Sequence, residues 1–296
     1  MTVESMAGIG RAGGTGGGWR CDPDAVAPTV LILGGFMTVP PQYRGLSRRL
    51  LAEGAAGVVV SQVWAPDWLI AVRRGCGAIA TRSGKALREA GLLSNEVSGG
   101  APVLVVGHSA GGLLARILTA PEPLPGRRFG AAGRIGAIVT LGTPHRLANG
   151  RGIGRSLRGM LYSVAEESVP GACFAPRVGY VSVASRSIRS GPGSLGRARL
   201  ADLLYRSLIG RAAKPGTEGD GFVPVEAAAL PGAGHVLLDG ALHGPSSGTW
   251  YGSPAALRVW WPIALEAWHE ALRVRLEAGV EAEVAQPREA AGVGAH

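Results

Sequence analysis

From Thr29 onward, short uninterrupted apolar runs alternate with longer segments in which apolar residues recur every three or four positions. The runs Val30–Leu33, Val58–Gln62, Val103–Val106, Ile135–Thr140, Val178–Ala184 and His235–Leu238 have strand length. Several are rich in Val and Ile and do not alternate with polar residues, the pattern of strands covered on both faces. Helical spacing predicts helices over Tyr43–Glu53, Gly75–Ala90, Gly111–Thr119, Ala198–Ile209 and Pro254–Ala278, with a shorter helical piece over Val225–Leu230. This alternation predicts an α/β fold, a mostly parallel central sheet with helices on both faces. A single domain over residues 29–278 accounts for it, and 46% hydrophobic content in 296 residues is ample for its core. Residues 1–28, which include Gly13-Gly14-Thr15-Gly16-Gly17-Gly18, and residues 279–296, where periodicity is lost, are predicted to be disordered.

One segment breaks the alternation. Between the strand ending at Thr140 and the one starting at Val178, residues 142–177 form a long excursion, in which Leu157, Met160, Leu161 and Val164 fall on one helical face. That face suits a short lid or cap over an apolar pocket, and it equally suits an ordinary packed surface helix.

The formal charge of +9 raises nucleic acid and anionic membranes as partners. All basic residues except Lys85 and Lys214 are arginine, no run of five like charges occurs, and no basic stripe is interleaved with aromatics. Nucleic acid is therefore not an expected partner, while peripheral contact with an acidic lipid surface is one that the charge admits. Cys21, Cys76 and Cys173 are odd in number and lack C-x-x-C spacing, which predicts neither a zinc site nor a disulfide framework. No apolar stretch reaches membrane-span length, and the N-terminus lacks the pattern of a secretory signal. A soluble intracellular protein of the cytoplasm or chloroplast is expected; Glu4, Asp22 and Asp24 weigh against a transit sequence.

Candidate chemistry enters with Gly107-His108-Ser109-Ala110-Gly111, which follows a strand-like run directly and opens a helix-like one. In that setting G-x-S-x-G is a tight turn that holds a serine hydroxyl out beyond the end of a sheet. A second match, Gly244-Pro245-Ser246-Ser247-Gly248, has no strand before it and no helix after it. Ser109 is therefore the candidate nucleophile.

An activated serine needs a base, and the base needs an acid to fix its tautomer, in the chain order serine, acid, histidine for this kind of turn. His145 precedes every good acid, and His269 lies inside an apolar helix. Of the two histidines flanking Val236-Leu237-Leu238, His235 enters a strand and His243 leaves it; sites form beyond the carboxyl ends, so His243 is the candidate base. Asp220, flanked by Gly219 and Gly221, is the candidate acid, with Asp239 in reserve. Backbone amides must hold the oxyanion, and Ala110, just after the serine, and Phe36, in the loop Gly34-Gly35-Phe36 after the first strand, are the candidates. Met37, Leu157, Met160 and Leu161 are candidates for an acyl-binding wall, together with Phe36 and Trp64.

Four segments, Gly107-His108-Ser109-Ala110-Gly111-Gly112, Leu141-Gly142-Thr143-Pro144-His145, Gly219-Asp220-Gly221-Phe222-Val223-Pro224-Val225 and Trp250-Tyr251-Gly252-Ser253, resemble in content and order those of serine lipases and esterases of the α/β-hydrolase superfamily. The nearest resemblance, over about Thr29 to Ala278, is to the PGAP1-like (GPI inositol-deacylase-like) hydrolases of plants, algae and cyanobacteria. Many of those carry His-Gly where this chain has Gly34-Gly35. The resemblance implies an α/β-hydrolase fold, Ser109, Asp220 and His243 as triad, Phe36 and Ala110 as oxyanion donors, and cleavage of a lipid-like carboxylic ester through an acyl-enzyme, with no metal or cofactor. Two other expectations stay open, an acyltransferase on the same triad and a non-catalytic ligand-binding or scaffold protein on a hydrolase fold.

Overall fold

The computed structural model of the protein describes residues 25–122, 129–148, 152–191 and 196–285. Six strands form one sheet: β1 (Thr29–Leu33), β2 (Gly57–Val60), β3 (Val103–His108), β4 (Ile135–Leu141), β5 (Gly179–Arg186) and, after a two-stranded antiparallel ribbon of β6 (Ile188–Arg189) and β7 (Glu218–Gly219), β8 (Gly234–Asp239). Their order is β2-β1-β3-β4-β5-β8, and every neighbouring pair is parallel. All six coincide with the apolar runs expected to form strands. Every residue of β1, β3 and β4 is buried, which explains why these runs do not alternate.

Helices α1 (Arg44–Ala52) and α9 (Pro254–Ala285) cover one face. The other carries α2 (Ala65–Arg74), α3 (Gly77–Val97), α4 (Ala110–Leu118), α7 (Arg197–Ile209), the short α8 (Val225–Ala228) and the excursion, which folds as α5 (Ile153–Leu157), one π-helical turn (Arg158–Tyr162) and α6 (Ser163–Ser168). Two buried apolar clusters, one on each side of the sheet, form the core. From β1 the chain turns to β2 on one side, and from β3 it turns to β4 on the other. The carboxyl ends of β1 and β3 are therefore adjacent at a point where the winding reverses, a place that leaves a crevice in an open parallel sheet.

Helix α9 is locked to the sheet by polar contacts at its buried side. Trp260 Nε1 donates to Tyr251 O (2.9 Å), and Trp268 Nε1 to Pro102 O (2.8 Å), with the Trp268 ring lying over Gly136 of β4. Farther along, Arg275 donates to the carbonyls of Arg177, Gly133, Ala132 and Ile135.

Three expectations need correction. Helix α2 was not expected: it buries Asp67 beside Trp68 and Ala71 and leaves Leu69, Ile70 and Val72 exposed, so its apolar residues do not mark its buried side. Helix α9 runs to Ala285, past the boundary expected at 278/279: Gly279 is followed by Val280-Glu281-Ala282-Glu283-Val284-Ala285, where Glu and Ala favour helix and no proline or further glycine stops it. At the other end, residues 25–28 join the fold, with Val26 O accepting from His269 Nε2 (3.1 Å) and Pro28 O from Ala56 N (3.0 Å). The remainder of the two segments expected to be disordered, residues 1–24 and 286–296, lies outside the described residues. No helix among the described residues is long and apolar enough to cross a membrane.

Replacing Trp268, which is fully buried, by Ala removes both an indole from the core and its bond to Pro102. The expected loss is about 3–5 kcal/mol of unfolding free energy, read from urea denaturation.

Candidate functional site

Ser109 occupies the sharp turn between β3 and α4, with φ 53° and ψ −126°. A positive φ is strained for a residue with a side chain, and it persists because the surroundings over-determine it. The Ser109 N–H donates to Leu141 O (2.9 Å), and its carbonyl accepts from Thr143 Oγ1 (2.8 Å). Where α4 leaves the turn, a Cβ on Gly111 would stand 2.2 Å from Leu33 O, so only glycine allows the helix to start so close to β1.

His243 and Asp220 converge on this hydroxyl from loops at the same rim. His243 Nε2 lies 3.0 Å from Ser109 Oγ, and its Nδ1 lies 2.7 Å from Asp220 Oδ2. Because Asp220 Oδ2 accepts, Nδ1 carries the proton and Nε2 is left as the acceptor for the serine O–H. Asp220 directly follows β7, and its Oδ1 accepts the amides of Phe222 (2.9 Å) and Val223 (2.7 Å) while Oδ2 also accepts from Tyr251 Oη (2.8 Å). Burial alone would raise the Asp220 pKa; the facing His243, its hydrogen bond and the two amides outweigh burial and hold it below the ordinary carboxylate value. The carboxylate fits there because Gly142, at φ 55°, has no side chain: a Cβ would stand 2.7 Å from Asp220 Oδ2. The Phe222 ring stacks on the His243 imidazole, with centroids 4.8 Å apart.

The loop after β1 completes the rim. Gly35 lies against the Ser109 side chain, and Phe36 and Met37 follow in a tight turn closed by Thr38 N to Gly35 O (3.2 Å), with Met37 at φ 60°. Met37 and Ser109 are the only non-glycine residues with positive φ among those described. Neither the Phe36 nor the Ala110 amide is donated to another residue's oxygen among the described residues, so both remain available as donors.

Four residues of this network were not singled out by sequence reasoning. His108, fully buried, accepts from Tyr43 Oη at Nδ1 (2.8 Å) and donates from Nε2 to His243 O (2.9 Å), and Tyr43 Oη in turn accepts the Gly35 amide (2.9 Å). Tyr43, His108 and the Gly35 amide thus tie the loop bearing Phe36 to the loop bearing His243. Burial first, and then the neighbouring His243, lowers the His108 pKa to about 3, which keeps it neutral. Tyr251 holds Asp220, and Arg116 acts behind the site. His108 and Tyr251 stand inside quoted motif segments, the one signal that pointed to them; Tyr43 and Arg116 had none.

Of the remaining candidates, Asp239 is exposed and pairs with Arg186, His235 bonds Ser182 Oγ (2.6 Å), and His145 bonds Thr140 Oγ1 (2.9 Å). Ser246, from the second G-x-S-x-G match, accepts from Gln42 at the surface. None of these reaches Ser109. The expected acyl wall divides: Met37 is 43% exposed at the rim, whereas Leu157, Met160 and Leu161 are packed into the core. Their helical face turns inward, and close by, Arg116 of α4, itself buried, donates to Glu166 Oε1 and Val169 O (both 2.7 Å) and holds α6 against α4. The amphipathic excursion is thus a packed cap. A cavity of about 680 Å³ lined by Ala132, Cys173, Arg177 and Arg275 lies at the amino ends of β4 and β5, the end of the sheet opposite Ser109.

No family model and no curated protein matches the chain. Among solved structures it is similar to the Bacillus licheniformis lipase BlEst2 in its mature form, with TM-score 0.56 and 17% identity over 82% of this chain and 94% of that one. The propeptide form of the same lipase matches with TM-score 0.55 and 17% identity, over 82% of this chain and 51% of that longer one. These likenesses show the α/β-hydrolase fold.

The neutral, buried His108 generates a pH dependence. Unfolding returns it to its ordinary value of 6.5, so between that value and about 3 the unfolded chain binds a proton that the folded chain does not. Stability is therefore complete above pH 6.5 and falls as pH drops below it, by at most about 1.4 kcal/mol per pH unit for one histidine. Urea midpoints measured from pH 8 to pH 5 are expected to show this decline, with a shallower slope in His108→Gln.

Proposed function

We propose that the chain is a serine hydrolase that cleaves carboxylic esters through an acyl-enzyme. The observation that carries this reading is the continuous hydrogen-bonded line from Ser109 Oγ through His243 to the buried Asp220. His243 Nε2 takes the Ser109 proton as Oγ attacks the ester carbonyl carbon, and Asp220 orients the ring and stabilises the imidazolium that forms. The carbonyl oxygen becomes an oxyanion held by the amides of Phe36 and Ala110, donors that contribute about 3–4 kcal/mol each when preorganised. Collapse of this intermediate expels the alcohol, which takes its proton from His243 and leaves Ser109 acylated. A water molecule then gives a proton to His243 as it attacks the acyl carbon, a second oxyanion forms, and the acid departs as the proton returns to Ser109.

A lipid-like ester is the proposed substrate. Apolar residues stand at the same rim: Phe36 and Met37 follow Gly35, which lies against the Ser109 side chain, Phe222 stacks on His243, and the Phe36 ring is backed edge-on by Trp68 at 5.7 Å. The PGAP1-like affinity is proposed on the four sequence segments, each of which contributes to this site: Ser109, Gly142 with Thr143, Asp220, and Tyr251. The likeness to BlEst2, described as a lipase, supports an ester-cleaving activity on the same fold.

A fluorophosphonate probe is expected to label the wild type and not Ser109→Ala; a folded wild type that resists labelling overturns the hydrolase. Asp220→Asn should lower kcat by roughly 10⁴-fold, the cost of a wrong tautomer, while Asp239→Asn leaves it within about twofold. Across p-nitrophenyl esters of increasing acyl length, kcat/KM should rise with chain length, and a flat series removes the lipid preference.

A further inference from the structure

Helix α2 starts from Trp64, beyond the carboxyl end of β2 and so at the rim of the sheet that carries Ser109. Its inner side is spent: Asp67, Trp68 and Ala71 are buried, and Trp68 meets the Phe36 ring. Its outer side should be polar for a helix that faces only water. Instead it presents Leu69 (57% exposed), Ile70 (45%) and Val72 (42%), with Trp64 at the helix start and Arg73 and Arg74 in the last turn. Met37, the strained residue next to Phe36, is exposed on the same rim.

The charges on this face select its occupant. Neither Arg73 nor Arg74 has an ion pair among the described residues. The one acid in the helix, Asp67, is turned inward and engaged by Arg82 and by the Trp64 amide. A second copy docking through the same face would bring arginines and aliphatic side chains but no carboxylate to meet them. An anionic bilayer satisfies both halves: Leu69, Ile70 and Val72 enter the acyl boundary, Trp64 lies at the headgroup level, and the two guanidinium groups meet lipid phosphates. The net charge of +9 adds long-range attraction to the same surface.

We propose that the outward face of α2 docks the protein on an anionic lipid surface, with the Ser109 rim turned toward the membrane. The docking stands independently of the ester chemistry, since none of these side chains contacts Ser109, His243 or Asp220.

The test uses the full chain in flotation assays with vesicles of phosphatidylcholine alone and of phosphatidylcholine mixed with phosphatidylglycerol, at low and high salt. The wild type is expected to bind the mixed vesicles, to release at high salt, and to bind phosphatidylcholine about tenfold more weakly or less. Arg73→Ser with Arg74→Ser should weaken binding by about tenfold or more, from the loss of two charges near the headgroups. Leu69→Ser with Ile70→Ser should do the same, and Leu200→Ser with Leu203→Ser, an exposed apolar pair on α7, should change nothing. Unchanged fluorophosphonate labelling and melting temperature in each variant establish that its fold is retained. The proposal is overturned if the wild type binds neither vesicle, if it binds phosphatidylcholine equally well, or if the α2 variants bind as the wild type does. It is also overturned if the wild type is a dimer that Leu69→Ser with Ile70→Ser dissociates, because the face then belongs to a second copy.

Discussion

A close contact between two backbones underlies the whole arrangement. Helix α4 can begin where β3 ends only by pressing Gly111 onto the carbonyl of Leu33 at the end of β1. That contact forces the intervening residue, Ser109, into a left-handed backbone conformation and aims its side chain out of the sheet rather than along it. The parallel winding, with β1 and β3 adjacent and their successors leaving in opposite directions, makes this a crevice into which loops from both halves can reach.

What reaches it is a set of polar groups that would be costly to bury apart and are satisfied together. Asp220 accepts four hydrogen bonds, from two backbone amides, an imidazole and a phenol. Around it, His108 joins Tyr43 to the backbone of His243, so that the loop after β1 and the loop after β8 are held by one buried side chain. The geometry at Ser109 is thereby set by partners at positions 35, 43, 142, 143 and 251, distributed over most of the chain.

The sheet was legible in the sequence because strands buried on both faces leave unbroken apolar runs; Ser109 and His243 were candidates because each stands just past such a run, and Asp220 because glycines flank it. Helix α2 was not legible, since Asp67 faces inward with Trp68 and Ala71 while Leu69, Ile70 and Val72 face outward, so the apolar positions do not mark the buried side. The ribbon of β6 and β7 is too short, at two residues each, to leave a pattern. The amphipathic face at Leu157, Met160 and Leu161 packs into the core, and periodicity identifies a face without naming what it meets. Tyr43 and Tyr251 act through partners remote in sequence, a kind of information that no single segment carries.

Arg116 also decides how a substrate could arrive. Its guanidinium has left water entirely and relies on Glu166, Val169 O and their neighbours for acceptors, so swinging α6 outward would strand a cation in an apolar interior. The segment that covers the back of the site is consequently a fixed wall, anchored on α4, the helix that begins at Ser109. For the proposed hydrolase, entry is then left to the rim that carries the exposed Met37 and Phe222, stacked on His243, rather than to a hinged gate.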